Sequence, residues 1–191
     1  MRFCIDSNIF IHGIKKNSGQ DDLIERAKHF FYFVYIEKHE IIIPTIVIAE
    51  ILAPEPLEKY PVYIDYINKN FIVSNFDSRV ATQYGVLLNN RIEELKKIAD
   101  ENGIPRNRMK IDHQIIASAI VHGANRIYSN DNGVHTFGKK FIEVRDLPDL
   151  PAPQLVQQSI FNDFELVNGV MVKKETSKPE HGTDTVDDLP F

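Results

Sequence analysis

The stretch KIDHQIIASAIVHGANRIYSND, Lys110–Asp131, decides the fold. Its apolar positions from Ile115 to Val121 follow a helical period, and an acid, Asp112, stands where the helix is expected to start. Gly123 is the kind of residue that ends a helix. Arg126–Ser129 then reads as a short apolar strand, and a second acid, Asp131, follows it within a turn-forming Asn-Asp-Asn. A helix feeding a strand that runs into an acid is one half of a β–α unit. The question for the rest of the chain is whether it supplies the other half.

It does, repeatedly. The opening RFCIDSN is a buried strand, Arg2–Ile5, that ends at Asp6, after which Ser7 caps a brief apolar segment, Asn8–Ile14. Asp21 and Asp22 open a helix to about Glu37, Glu40–Ile43 is a second strand, and Pro44-Thr45 starts a helix, Ile46–Ala53, that carries Glu50. Beyond the proline-broken loop Pro54–Pro61 the pattern predicts a helix to Asn68, a strand at Phe71–Val73, and one long helix from Asp77 to Asp100. A loop, Ile104–Lys110, leads into the central stretch, and a last strand is expected around Phe141–Val144. Alternation of this kind predicts a three-layer α/β/α fold with a mainly parallel sheet over residues 1–150. Residues 151–191 form an extension: a modest amphipathic piece, Gln154–Leu166, and then an acidic tail that composition marks as largely disordered.

The chain has 191 residues and 43% hydrophobic content, enough for one ordinary core. The single cysteine, Cys4, excludes an intrachain disulfide and an all-cysteine zinc site. With no export signal or membrane-length apolar run, a soluble cytoplasmic protein is expected. The net charge is −5, of which the segment from Leu150 onward, with three lysines against seven acids, carries −4. The body is thus nearly neutral, and its balance turns positive once four acids are offset by bound cations. An acidic whole does not exclude a nucleic-acid substrate.

Asp6, Glu50, Asp112 and Asp131 are the candidate site. Three lie where an open parallel sheet gathers its ligands, beyond the carboxyl ends of strands and near helix starts. Taken singly, Asp6 also reads as an Asx-turn residue, Asp112 as an N-cap and Asp131 as a turn residue. Glu50 is harder to explain that way, because Ile46, Val47, Ile48, Ala49, Ile51 and Leu52 surround it, and an ionised carboxylate there needs a cation. Separated carboxylates with room for water suit Mg²⁺ or Mn²⁺ and phosphodiester chemistry.

In order and placement these residues resemble the PIN-domain nucleases: Asp6-Ser-Asn8 after the first strand, Glu50 in the helix after the second, Asp112 before Ile-Ile-Ala-Ser-Ala, and Ser129-Asn-Asp131 after the next strand. The resemblance covers roughly Met1 to Leu147. It implies a metal-dependent endonuclease, most often acting on RNA, as in VapC-type toxins and RNA-processing factors. It assigns Asp6, Glu50, Asp112 and Asp131 to the acidic quartet holding one or two Mg²⁺ or Mn²⁺, with Asn8 and Ser129 as accessory polar residues. A homodimer and an antitoxin-like inhibitor are the partners it implies. Arg106, Arg108 and Lys110, just before Asp112, are candidates for touching substrate phosphates, while His113 and His135 are given no role. The long middle and the tail exceed a compact toxin of this family. A catalytically weak scaffold that binds nucleic acid or genome-maintenance proteins is the alternative reading, and a haloacid-dehalogenase-like phosphatase fits less well because Asn8 stands where it needs a second Asp.

The final residues, Asp187, Asp188, Leu189, Pro190 and Phe191, resemble the acidic tip of bacterial single-stranded-DNA-binding proteins. That resemblance implies docking on a protein partner, with the Phe ring in an apolar pocket and the acids along basic residues.

Overall fold

Phe3, Cys4 and Ile5 are each at most 1% exposed, so the first strand is covered on both faces. Ile41, Ile42 and Ile43 of the second are buried in the same way. Continuous apolar strands of this sort belong to a parallel sheet packed between helices. A computed structural model describes residues 1–15, 20–89, 91–150, 164–167 and 170–173, the last two stretches by backbone alone. The chain divides into two units, Met1–Pro151 and Ala152–Phe191.

In the first unit five strands, β1 (Arg2–Ile5), β2 (Glu40–Pro44), β3 (Ile72–Ser74), β4 (Arg126–Tyr128) and β5 (Glu143–Arg145), form one sheet in the order β3-β2-β1-β4-β5. Every pairing is parallel, with Cys4 opposite Ile42 on one side and Ile127 on the other. Helices α1 (Ser7–Phe10), α2 (Asp21–Ile36), α3 (Thr45–Leu52) and α4 (Tyr60–Asn70) belong to the crossovers that build the sheet away from β1 in one direction. Helices α5 (Ser78–Leu88), α6 (Ile92–Glu101), α7 (Arg106–Val121) and α8 (Asn132–Gly138) belong to those that build it the other way. Because parallel crossovers are right-handed, reversing direction at β1 puts the two sets on opposite faces. That reversal creates a switch point between β1 and β4, where the loops after the two strands diverge and leave a crevice.

Helix α2 buries Ile24, Ala27, Phe30 and Val34, and Phe30 lies 4.4 Å from the ring of Tyr128, which also meets Phe3 edge-on at 5.3 Å. Tyr128 is therefore core. Arg26 on the same helix donates to the carbonyls of Leu147 and Pro148 and pairs with Asp149 at 3.2 Å, fastening the end of the unit to α2.

Three expectations are corrected. Helix α7 begins at Arg106, with Pro105 in the cap position, so Arg106, Arg108 and Lys110 are helical and Asp112 lies two turns inside the helix. The fixed φ of Pro105 sets up that start without a side-chain cap. The long helix from Asp77 to Asp100 is two helices, because the backbone leaves the α region at Asn89 (φ −58, ψ 124). Asp6, and not Ser7, is the N-cap of α1. Gly123 does end α7, at φ 68.

In the second unit, β6 (Phe164–Val167) pairs antiparallel with β7 (Val170–Lys173), Phe164 opposite Lys173 and Val167 opposite Val170. The amphipathic piece expected to run to Leu166 thus ends in a strand. Asp187–Phe191 lie outside the described residues. Among the described residues no helix is long and apolar enough to cross a membrane.

Candidate metal centre

The four acids reach the switch point from four different elements. Asp6 follows β1 directly and caps α1, accepting the Ser7 N–H at Oδ1 (2.6 Å). Its Oδ2 accepts the Ser129 hydroxyl at 2.6 Å and the Asn8 amide at 3.0 Å, and the residue is 4% exposed. Asp131 caps α8, with Oδ1 accepting the Gly133 N–H at 2.7 Å, while its own N–H donates to Ser129 Oγ at 2.9 Å. Ser129 thereby ties the β1 acid to the β4 acid. Asn8 braces the same junction, its Oδ1 accepting the Asn130 N–H at 3.3 Å. Glu50, on α3, is half-buried, while the Ser7 hydroxyl lies 3.4 Å from Asp6 Oδ1.

Asp112 differs from the others. It is 2% exposed, and its Oδ2 is buried with no hydrogen-bond partner. Both oxygens of a carboxylate are ordinarily satisfied when buried, so an orphaned one at the wall of a crevice asks for a proton or a cation. Burial, followed by the charges of Asp131 and Asp6, pushes this acid up to about 8, against the pull of Arg108. Burial also raises Asp6, with Asp131 adding to the effect and the Ser129 and Ser7 hydrogen bonds opposing it. Glu50 is raised by burial too, then by Asp6 and Asp131, with Ser7 and Arg108 opposing. Beyond burial, Asp112 is thus raised by Asp131, Asp6 and Glu50 together, and Glu50 by Asp6 and Asp131.

Gly133 shapes the floor. A Cβ there would fall inside the van der Waals radius of Asp112 Oδ2 and 3.1 Å from Asp131 Oδ1. Only a hydrogen fits between two carboxylates at that point. The donor atoms are hard carboxylate oxygens, one of them orphaned and buried, the donor type that Mg²⁺ and Mn²⁺ take. As the side chains stand, no group of three or more His, Cys, Asp or Glu among the described residues is close enough to hold an ion.

The basic residues divide. Arg108 Nη2 stands 2.5 Å from Asp131 Oδ2. Arg106 pairs instead with Asp100 at 3.1 Å, outside the cluster, and Lys110 is exposed on α7. His113 is fully buried, its Nδ1 on the Met109 carbonyl (2.7 Å) and its ring against Phe137. His135 is spent on holding the loop: Nε2 meets the Ser129 carbonyl at 2.7 Å and Asp146 at 3.1 Å. Sequence reasoning missed Gly133, Asn130 and the double hold of Ser7 on Asp6. For Gly133 the signal was present, a residue without a side chain two positions after a site acid.

No family model and no curated protein matches the sequence. Solved structures do match by fold. The chain is similar to one in the crystal structure of VapBC2 from Rickettsia felis bound to a DNA fragment from their promoter, at 18% identity and a TM-score of 0.50 over 78% of this chain and 100% of that one. It is similar to one in the DNA-bound VapBC of Salmonella typhimurium at 16% identity and a TM-score of 0.52, over 78% of this chain and 99% of that one. The fold of the first unit is therefore the PIN-like α/β fold that the sequence resemblance implied.

Proposed function

We propose that this protein is a divalent-metal-dependent endonuclease that hydrolyses phosphodiester bonds, with RNA as its substrate class. The observation that carries the reading is the buried, unpartnered Asp112 Oδ2 in a crevice shared with Asp6, Glu50 and Asp131. The likeness in fold to chains of VapBC complexes supports it. Asp6, Glu50, Asp112 and Asp131 would hold Mg²⁺ or Mn²⁺, which when bound supplies Lewis-acid activation of water and of the scissile phosphate.

The chain's own residues do the rest. Ser129, Asn8 and Ser7 hold both oxygens of Asp6, so this acid is kept in one orientation. Gly133 keeps the floor open and, through its N–H, aims Asp131. Arg108 and Lys110, exposed on α7, would meet backbone phosphates, adding affinity that weakens with salt and carries little sequence information. An antitoxin-like inhibitor and a second copy of the chain are the protein partners this reading brings with it. For 187–191 the proposal is docking on a basic, apolar-pocketed partner, and equal recovery of partners by the chain with and without those residues would remove it.

The test is cleavage of single-stranded RNA, single-stranded DNA and structured forms in Mn²⁺ or EDTA, by the wild type and Asp112→Asn. Cutting that needs metal and disappears in the variant is the expected result. Absence of cutting by folded protein on every substrate would overturn the reading in favour of a binding scaffold.

A further inference from the structure

Both oxygens of Asp131 are already committed. Oδ1 accepts the Gly133 N–H at 2.7 Å, and Oδ2 faces the Arg108 guanidinium at 2.5 Å. The two ends of that ion pair differ: the Asp131 side chain is 14% exposed, and the Arg108 side chain is 60% exposed. The acid is fixed by its cap and the cation reaches in from solvent. Arg108 and Asp112 are four residues apart on α7, so they lie on one face of the helix, with the guanidinium arriving over the acids.

An exposed ion pair between two isolated residues contributes little. This one is different in its surroundings. The Asp131 and Asp112 carboxylates both stand against Gly133, so the guanidinium that pairs with Asp131 is held beside two acids of the four. It occupies the open oxygen of Asp131 and offsets the repulsion that a metal would otherwise relieve.

We propose that Arg108 is a built-in counter-ion that a divalent metal must displace from Asp131 Oδ2, and that its release leaves the guanidinium at the crevice mouth to meet a substrate phosphate. The inference rests on the metal reading given above. Arg108 then has two successive partners, a carboxylate before the ion enters and a phosphate oxygen afterwards. A guanidinium suits both, since it forks onto either group.

The experiment is calorimetric titration of Mn²⁺ into the nucleic-acid-free full chain as wild type, Arg108→Ala and Arg108→Lys, with the melting curve of each variant confirming its fold. Arg108→Ala should bind Mn²⁺ roughly three- to ten-fold more tightly than wild type, the change expected from deleting one charge-assisted contact. Arg108→Lys should fall between. In ¹⁵N-arginine-labelled protein, saturating Mg²⁺ should move the Arg108 Nε–H signal, and should leave it in place in Asp112→Asn. The same alanine variant should raise KM for RNA, so metal and substrate affinities change in opposite directions. Unchanged or weaker Mn²⁺ binding by Arg108→Ala, or an Arg108 signal that ignores saturating Mg²⁺, overturns this inference and leaves the metal reading intact. Absence of saturable Mn²⁺ binding in the wild type overturns both.

Discussion

Ser129 donates its hydroxyl to Asp6 Oδ2 at 2.6 Å across 123 residues of sequence, and accepts the Asp131 N–H with the same oxygen. A single buried hydroxyl thus links two candidate site acids that follow neighbouring strands. Ser129 is 0% exposed.

Ser129→Ala should lower stability by about 1–2 kcal/mol, because the Asp131 N–H and one Asp6 oxygen lose a partner in a buried setting. In a chain of this size that is about 2–8 °C in Tm. Differential scanning calorimetry at pH 6 measures it. A variant that melts with the wild type would mean that the link contributes nothing.

The sign of the pH dependence follows from Asp112. In the metal-free fold it keeps its proton up to about pH 8, whereas the unfolded chain releases it near 3.8. Between those values the folded state binds more protons, so stability falls as pH rises. Asp6 and Glu50, both raised, add slope of the same sign. In EDTA, Asp112→Asn should therefore flatten the Tm–pH curve between pH 5 and 8 and melt above the wild type at pH 8 by at least about 2–4 °C. Mg²⁺ should restore the wild type at pH 8 and do little for the variant. Parallel curves for the two proteins would contradict the assignment.

Gly133→Ala tests the floor of the crevice. The backbone there needs no glycine conformation, so the cost is steric: the new methyl drives into Asp112 Oδ2. Asp112 is short and held in a helix, so the carboxylate must rotate out of place. A misplacement of about 1 Å is expected to reduce cleavage about 10²-fold while the protein still folds. Single-turnover cleavage together with the melting curve separates those two effects.

Cys4 is fully buried in β1, and burial, with the nearby Asp6 charge, raises its thiol far above the ordinary range. Neither access nor thiolate is available to a reagent. Thiol labelling of the native protein should proceed only as fast as the sheet opens, and should become immediate in denaturant. Prompt native labelling would show that the central strand is looser than its packing indicates.

Strands β1 to β4 were legible because each is a short apolar run ending in a polar or turn residue, and the positions of Asp6 and Asp131 followed from those ends. Strand β5, by contrast, offers only Val144 as an apolar residue. Glu50 was legible from its apolar neighbours. The start of α7 was not, since Arg106, Asn107 and Arg108 lie on its exposed side and show no apolar period; Met109 is its first buried residue. The break near Asn89 was hidden by Leu88 and Leu95, which sustain a helical rhythm across two separate helices. The pairing of β6 with β7 had a clear signal that went unread, alternating FELV and VMVK around Asn168-Gly169. The hold of Arg108 on Asp131 was beyond reach, because it depends on where α7 lies against α8 in space and not on either segment alone.

The strand order has a consequence for biosynthesis. Because β4 inserts beside β1, the first strand waits for residue 128 before its second flank is covered, and the fourth acid follows three residues later. A ribosome carrying a shorter nascent chain holds Asp6, Glu50 and even Asp112 without the strand that assembles them. Under the proposed activity, an RNA-cutting centre of this topology stays inert while its own message is still being read through the first two-thirds of the chain.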